Sequence, residues 1–224
     1  MCGRYTLSST PAQINVRFEV TVDPAWKPSY NVAPGTQVLM VRTDAESGER
    51  TSESAYWGFT PAWLRPDRRA PRPINARSEG VASKPMFRNA FARRRCIVPA
   101  DGFYEWKMLD HGKQPWLIRL RDGDVFGFAA IYEPGNETTD NRPSCAILTT
   151  EANSTMRRIH ARMPVIIEPV DYQRWLQTEQ TKAAAIESLL RPYRPDDLVA
   201  HPVSARVNSV RNNDADLLRP VAGA

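Results

Sequence analysis

Trp116-Leu117-Ile118-Arg119-Leu120-Arg121-Asp122-Gly123-Asp124-Val125-Phe126-Gly127-Phe128-Ala129-Ala130-Ile131-Tyr132 is the stretch on which the fold turns. Two apolar runs of strand length, rich in aromatic and β-branched side chains, flank an Asp-Gly pair. This spacing predicts two antiparallel strands joined as a hairpin through Arg121-Asp122-Gly123-Asp124. Working outward, similar short runs recur at 38–42, 54–59, 96–98, 102–106, 144–149 and 163–167. Helical patterns are fewer: 11–18, 171–176 and 181–190, with 152–159 as a further short candidate. Many strands with helices mainly toward the ends predict a single α+β domain, a curved, barrel-like antiparallel β core with flanking helices. That domain is expected to cover residues 1–210, and the polar, small residues of 211–224 to form a loosely held C-terminal tail.

Composition narrows the class. The 224 residues suffice for a full core, and 42% hydrophobic with 25% charged residues is ordinary for a globular chain. No apolar run approaches the roughly 20 residues of a membrane span, and the N-terminus lacks a secretory apolar stretch, so a cytoplasmic protein without membrane contact is expected. Cys2, Cys96 and Cys145 are an odd number with no C-x-x-C pair. His111, His160 and His201 lack ligand spacing. Neither a disulfide framework nor a metal site is expected, and no cofactor is implied.

Charge is concentrated. The chain carries +5, yet between Arg65 and Arg95 stand ten basic residues: Arg65, Arg68, Arg69, Arg72, Arg77, Lys84, Arg88, Arg93, Arg94 and Arg95. Only Asp67 and Glu79 oppose them, so this segment holds +8. Trp57, Phe59, Trp63, Met86, Phe87 and Phe91 lie within or beside it. Arginines interleaved with aromatic and wedge-like side chains suit unpaired bases and their phosphates, whereas a plain charge run is a solvated loop.

The second residue, in Met1-Cys2-Gly3-Arg4-Tyr5, carries chemistry of its own. A side chain as small as Cys permits removal of the initiator methionine, leaving an amine and a thiol on one residue. Such a 1,2-aminothiol attacks an aldehyde through nitrogen and closes through sulfur to a thiazolidine; a buried Cys serving as a small hydrophobe does nothing of the kind. Three polar residues elsewhere are candidates to assist. Asn75, in Pro73-Ile74-Asn75-Ala76-Arg77-Ser78-Glu79, reads equally as a turn residue. Glu105, among aromatics in Asp101-Gly102-Phe103-Tyr104-Glu105-Trp106, reads as a desolvated acid–base group or an ion-pair partner. His160, just before a strand, reads as a proton relay or a satisfied core histidine.

Seven blocks resemble one known family. Met1-Cys2-Gly3-Arg4-Tyr5, Tyr30-Asn31-Val32-Ala33-Pro34-Gly35-Thr36, Trp57-Gly58-Phe59 with Pro61 and Trp63, and Ile74-Asn75-Ala76-Arg77-Ser78-Glu79 are similar to the SRAP (SOS response-associated peptidase) family. Ala100-Asp101-Gly102-Phe103-Tyr104-Glu105-Trp106-Lys107, His160-Ala161-Arg162-Met163-Pro164, and His201-Pro202-Val203-Ser204 with Val207-Asn208 follow in family order. The resemblance implies a monomer that recognises abasic sites in single-stranded DNA, nucleoid-associated when bound, and that crosslinks Cys2 to the ring-opened deoxyribose aldehyde. It implies Cys2 as nucleophile, Asn75 orienting the sugar or amine, Glu105 shuttling protons, and His160 stabilising the ring-opened hydroxyl. Arg4, Arg77 and Arg162 match phosphate-contacting positions. Trp63 and Met86 match base-stacking or base-parting positions, while Trp106 and Thr149 match positions lining the sugar or its phosphate. Where the family often carries a second aromatic after the tryptophan, this chain has Leu64. Lyase-like reversal and a peptidase activity would follow from the same constellation. Two other readings stay open: an N-terminal-nucleophile cysteine amidohydrolase or peptidase, which has no use for the basic stripe, and a non-catalytic single-stranded DNA-binding module, which has no use for Cys2.

Overall fold

A computed structural model describes residues 2–64, 71–110, 112–178 and 183–221. In chain order the strands are β1 (Tyr5–Leu7), β2 (Ser29–Val32), β3 (Gln37–Thr43), β4 (Arg50–Trp57), β5 (Asn75–Arg77), β6 (Arg95–Ala100) and β7 (Gly102–Leu109). Then follow β8 (Gly112–Leu120), β9 (Phe126–Glu133), β10 (Ser144–Glu151), β11 (Arg162–Pro164), β12 (Ile166–Ile167) and β13 (Leu198–Pro202). The helices are α1 (Pro11–Phe18), α2 (Arg88–Arg93), α3 (Ser154–Arg157), α4 (Tyr172–Leu176) and α5 (Ala183–Glu187). Helix α1 starts where its sequence says it should: Thr10 accepts from the Gln13 amide and the Gln13 side chain answers the Thr10 backbone, with Pro11 opening the first turn.

The strands form two sheets in one mixed α+β domain. Five strands run β13-β8-β7-β1-β2; eight belong to a second sheet whose path is β11-β10-β4-β3-β6-β9-β12, with β5 also on β10. Because β9 pairs with β10 as well as with β6, strands β10, β4, β3, β6 and β9 close into a ring. The core between the sheets is aromatic. Tyr5 meets Trp57 and Phe128 edge-on at 5.3 and 5.8 Å, and Phe103 meets Phe128 at 6.0 Å.

Two features of the fold correct the expectation. The turn at 121–124 exists, with Gly123 at φ +77° and its amide donating to the Leu120 carbonyl at 3.1 Å. The flanking strands, however, do not pair as a hairpin: β8 lies between β7 and β13, and β9 between β6 and β10, in different sheets. A turn reverses direction, but one edge of each strand is taken by its other chain neighbour, β7 for β8 and β10 for β9, and the second by a strand distant in sequence, β13 for β8 and β6 for β9. The ring is also not wholly antiparallel. β10 pairs in parallel with β4 at Ser144 and Cys145, and with β5 from Ile147 to Thr149. β4 and β5 are therefore successive segments along one edge of β10, interrupted by an excursion. Gly58 N–H to the Cys145 carbonyl (3.0 Å) and Phe59 N–H to the Pro73 carbonyl (2.9 Å) clamp the base of that loop.

The chain beyond 211 is tied down as far as Val221, not loosely held. Leu217 is fully buried with Tyr104, Leu117, Val203 and Val207 in a second, smaller core. Val203 bridges Pro220, and the Val221 amide reaches the Pro202 carbonyl at 3.0 Å. The five-stranded sheet is thus covered on both faces, one by the ring sheet and one by the C-terminal segment. Its strands accordingly carry apolar side chains on both sides.

Candidate functional site

Backbone pairing brings the two ends of the proposed chemistry together. β1 runs antiparallel to β7 with Tyr5 opposite Phe103 and Thr6 opposite Gly102. The Tyr104 amide donating to the Arg4 carbonyl at 2.9 Å carries that pairing on toward the N-terminus. Cys2 therefore arrives beside the Glu105 segment. It is fully buried in the main core, and burial, followed by the nearby Glu105 carboxylate, raises its thiol far above the usual range. Glu105 is itself 3% exposed. Desolvation raises its pKa above that of an ordinary carboxyl, opposed in part by its electrostatic interaction with nearby His160. His160 is half-buried ahead of β11, with its Nδ1 3.0 Å from the Arg162 amide and 3.1 Å from the Arg162 carbonyl, so this backbone unit holds the ring in either tautomer.

Asn75 reaches the same seam from the other sheet. The Trp57 indole, which packs on Tyr5, donates from Nε1 to the Ile74 carbonyl at 2.9 Å. That bond holds the next residue, the first of β5, at the junction. Asn75 Nδ2 donates to the Ile147 carbonyl at 3.4 Å, while its buried Oδ1 has no partner. An amide oxygen buried without a donor is what a bound hydroxyl or amine would satisfy.

Arg77 and Arg162 flank this seam on strands either side of β10, where Thr149 pairs with Arg77 on one side and Pro164 on the other. They are not equivalent. Arg77 is exposed. Arg162 grips both Glu79 oxygens at 2.8 and 2.9 Å and the buried Thr149 carbonyl at 2.6 Å. The Glu79 carboxyl is held below the usual range, chiefly by its hydrogen bonds from Arg162. Arg4 donates from Nη1 to Asn31 Oδ1 and to the Val207 carbonyl, both at 2.8 Å, tying β1 to the C-terminal segment. Trp106 lies half-buried on the C-terminal side of its sheet, its Nε1 donating to Asn208 Oδ1 at 2.8 Å. Asn208 and Glu79 lie inside the family-like blocks, and an acid amid arginines was a signal for an Arg clamp; nothing in the sequence marked Asn208 as a partner of Trp106.

The basic, aromatic stripe separates into two populations. Arg72, Arg77, Lys84, Arg88 and Arg93 are exposed, as is Trp63 at 64%. Met86 is half-buried against the core. Arg65, Arg68 and Arg69, with Asp67, lie outside the described residues. Arg95 belongs to the core instead: it is 1% exposed and bonded to backbone carbonyls. Arg94 pairs with the buried Glu133 at 2.8 Å. Trp57, Phe59 and Phe91 are fully buried and Phe87 nearly so, which removes them as stacking surfaces. Period-two and helical burial claimed these side chains, a choice that charge counting along a segment does not see. Leu64, in place of a second aromatic, is buried.

The family model described as SOS response associated peptidase (SRAP) matches residues 1–210. This chain is a member of the SRAP family. Among SRAP relatives, the abasic site processing protein YoqW of Bacillus subtilis is 40% identical over 97% of this chain and 99% of its own length. The abasic site processing protein YedK of Escherichia coli is 33% identical over 99% of this chain and 100% of its own. A solved protein from Bacteroides thetaiotaomicron superposes with a TM-score of 0.86 at 25% identity, covering 98% of this chain and 100% of that one. No helix among the described residues is long and apolar enough to cross a membrane.

Proposed function

We propose that this SRAP protein processes abasic sites in single-stranded DNA by trapping the ring-opened deoxyribose aldehyde on Cys2. The supporting relatives are named for abasic site processing, and the observation that carries the reading is the β1–β7 pairing that sets Cys2 against the buried carboxyl of Glu105. With Met1 removed, the Cys2 amine adds to the aldehyde carbon, and the carbinolamine loses its oxygen as water to give an imine. The thiol sulfur then bonds to the same carbon, its proton passing to nitrogen, and the five-membered ring is closed. The net change is amine, thiol and aldehyde to thiazolidine and one water.

Burial disfavours the thiolate, so the amine attacks first and the thiol is deprotonated only as it closes. Glu105, with its raised pKa, accepts a proton from the amine and returns it to the departing hydroxyl. His160 stabilises the ring-opened hydroxyl and exchanges protons with it, and the Asn75 Oδ1 left without a donor takes the amine or a sugar hydroxyl. Arg77, with Arg162 and Arg4 in part, holds flanking phosphates, Thr149 and Trp106 bound the sugar pocket, and Trp63 and Met86 contact neighbouring bases. The imine stage makes reversal and strand cleavage by elimination the natural side reactions.

Incubation with abasic single-stranded oligonucleotide tests the whole reading. A protein–DNA band resistant to denaturant is expected, absent with Cys2→Ala and absent with undamaged DNA. Equal yield from Cys2→Ser would sink the thiazolidine, because a hydroxyl does not close that ring comparably. Binding without any covalent band would favour a non-catalytic single-strand module, and peptide hydrolysis without DNA binding an amidohydrolase.

A further inference from the structure

Strand β1 is slight for the task it performs. It has three residues, its register against β2 is irregular between Tyr5 and Leu7, and its pairing with β7 spans only Tyr5 and Thr6. Ladder hydrogen bonds specify register poorly in so short a strand, and a slip of one residue turns every side chain to the other face. The distance between Cys2 and Glu105 depends on that register. We infer that Asp101 is the positioning residue that locks it; the inference rests on the proposed pairing of Cys2 with Glu105 in one reaction.

Asp101 is 1% exposed in the turn between β6 and β7, on the same chain segment as Glu105. Its Oδ1 accepts the Thr6 hydroxyl at 2.8 Å. Its Oδ2 accepts the Ser8 amide at 2.6 Å, the Ser8 hydroxyl at 2.8 Å, the Ser9 amide at 2.7 Å and the Ser9 hydroxyl at 2.8 Å. Its own amide donates to the Thr6 carbonyl at 2.9 Å, and its carbonyl accepts Arg119 Nε at 3.0 Å. One carboxylate thus gathers five donors from three residues at the end of β1. A slip of one residue would move those donors by about 3.4 Å and break the set together. Gly102 makes the approach possible. A Cβ there would stand 2.9 Å from Thr6 Cγ2 and 3.0 Å from Leu117 Cδ1, so any side chain would have to displace Thr6 and Leu117.

Asp101→Asn keeps the shape but turns an NH2 toward donors; the Ser8→Ala/Ser9→Ala double variant removes two hydroxyl donors and leaves the amides. Two readouts apply to each. Iodoacetamide labelling, mapped by peptide mass, reports on the three buried thiols Cys2, Cys96 and Cys145. The first-order crosslinking rate at saturating abasic DNA is compared with non-covalent affinity measured in a Cys2→Ala background. In Asp101→Asn, Cys2 labelling should rise about ten-fold or more while Cys96 and Cys145 stay protected. Crosslinking should slow by about ten-fold or more, with affinity changed less than about two-fold; the double serine variant should fall between. Cys2 remaining as protected as Cys145 would overturn the lock. So would labelling of all three thiols together in both variants, or parallel losses of rate and affinity, since either makes Asp101 a support of the whole fold. Wild type that never crosslinks would refute the reaction, and the thiol labelling would then still decide the register lock.

Discussion

Replacing Arg95 with Met separates a core arginine from a DNA-binding one. Its guanidinium donates from Nε to the Trp175 carbonyl at 2.7 Å and from Nη2 to the Gln177 carbonyl at 3.0 Å, both at the end of α4. From Nη1 it donates to the Phe91 and Ala92 carbonyls of α2 at 3.0 and 3.3 Å. It also lies over the Trp175 ring at 5.7 Å. Burial without an acidic partner lowers its pKa to about 10. The charge is therefore held by carbonyls at two helix C-termini, where a cation is favoured. Met fills a similar volume but leaves these carbonyls without donors, at roughly 1 kcal/mol or more each, offset by relief of the desolvated charge. A net loss of about 3 kcal/mol is expected, which for a chain of this size lowers Tm by about 6–12 °C. Urea and thermal denaturation measure it, and salt titration of single-stranded DNA binding provides the second axis. The salt slope should be unchanged for whatever Arg95→Met remains folded. A variant as stable as wild type whose salt slope falls by one phosphate would refute the burial reasoning and return Arg95 to the DNA face.

The two arginines at the seam should behave differently. Arg77→Ala should leave Tm near wild type and reduce the salt slope by about one contact, whereas Arg162→Ala should also destabilise, because Glu79 and Thr149 lose their donor; identical stability in both would contradict the Arg162–Glu79 clamp. Glu105 has a pKa raised above 4.5 by burial, so the folded state holds its proton more tightly than the unfolded chain, and its contribution is fully present at low pH and is lost as pH rises from about 4.5 through the folded value. Glu105→Gln should therefore gain stability relative to wild type across that rise, and parallel urea midpoints at every pH would count against the raised pKa. Gly127→Ala places a Cβ 2.5 Å from Ile97 Cγ2 and 3.2 Å from both Phe18 Cε1 and the Tyr172 hydroxyl, and should cost about 1–3 kcal/mol in denaturation midpoints.

The strands and helices with strong local patterns were legible: Gln37–Thr43, Phe126–Glu133 and Ser144–Glu151 are apolar runs, and Pro11–Phe18 carries its own cap. Strands β1, β2, β5 and β13 were not, being three to five residues long or interrupted by prolines and polar side chains. Their existence depends on partners: β5 is a strand because β10 offers the edge that β4 vacates after Trp57. The candidate site residues were readable as types and, through the family resemblance, as a proposed set, but not as neighbours.

What the amino-acid order determined by itself was chemistry and local habit: a thiol at position two, a carboxyl among aromatics, an arginine-rich segment, and alternating apolar runs. Those properties follow from side chains and their near neighbours. Tertiary structure decided which arginines face water and which serve as buried donors, which sheet each half of an apparent hairpin joins, and that Cys2 meets Glu105. Each of those outcomes is a competition among distant backbone edges and apolar faces for burial, and the energy that settles it belongs to pairs of segments far apart in the chain.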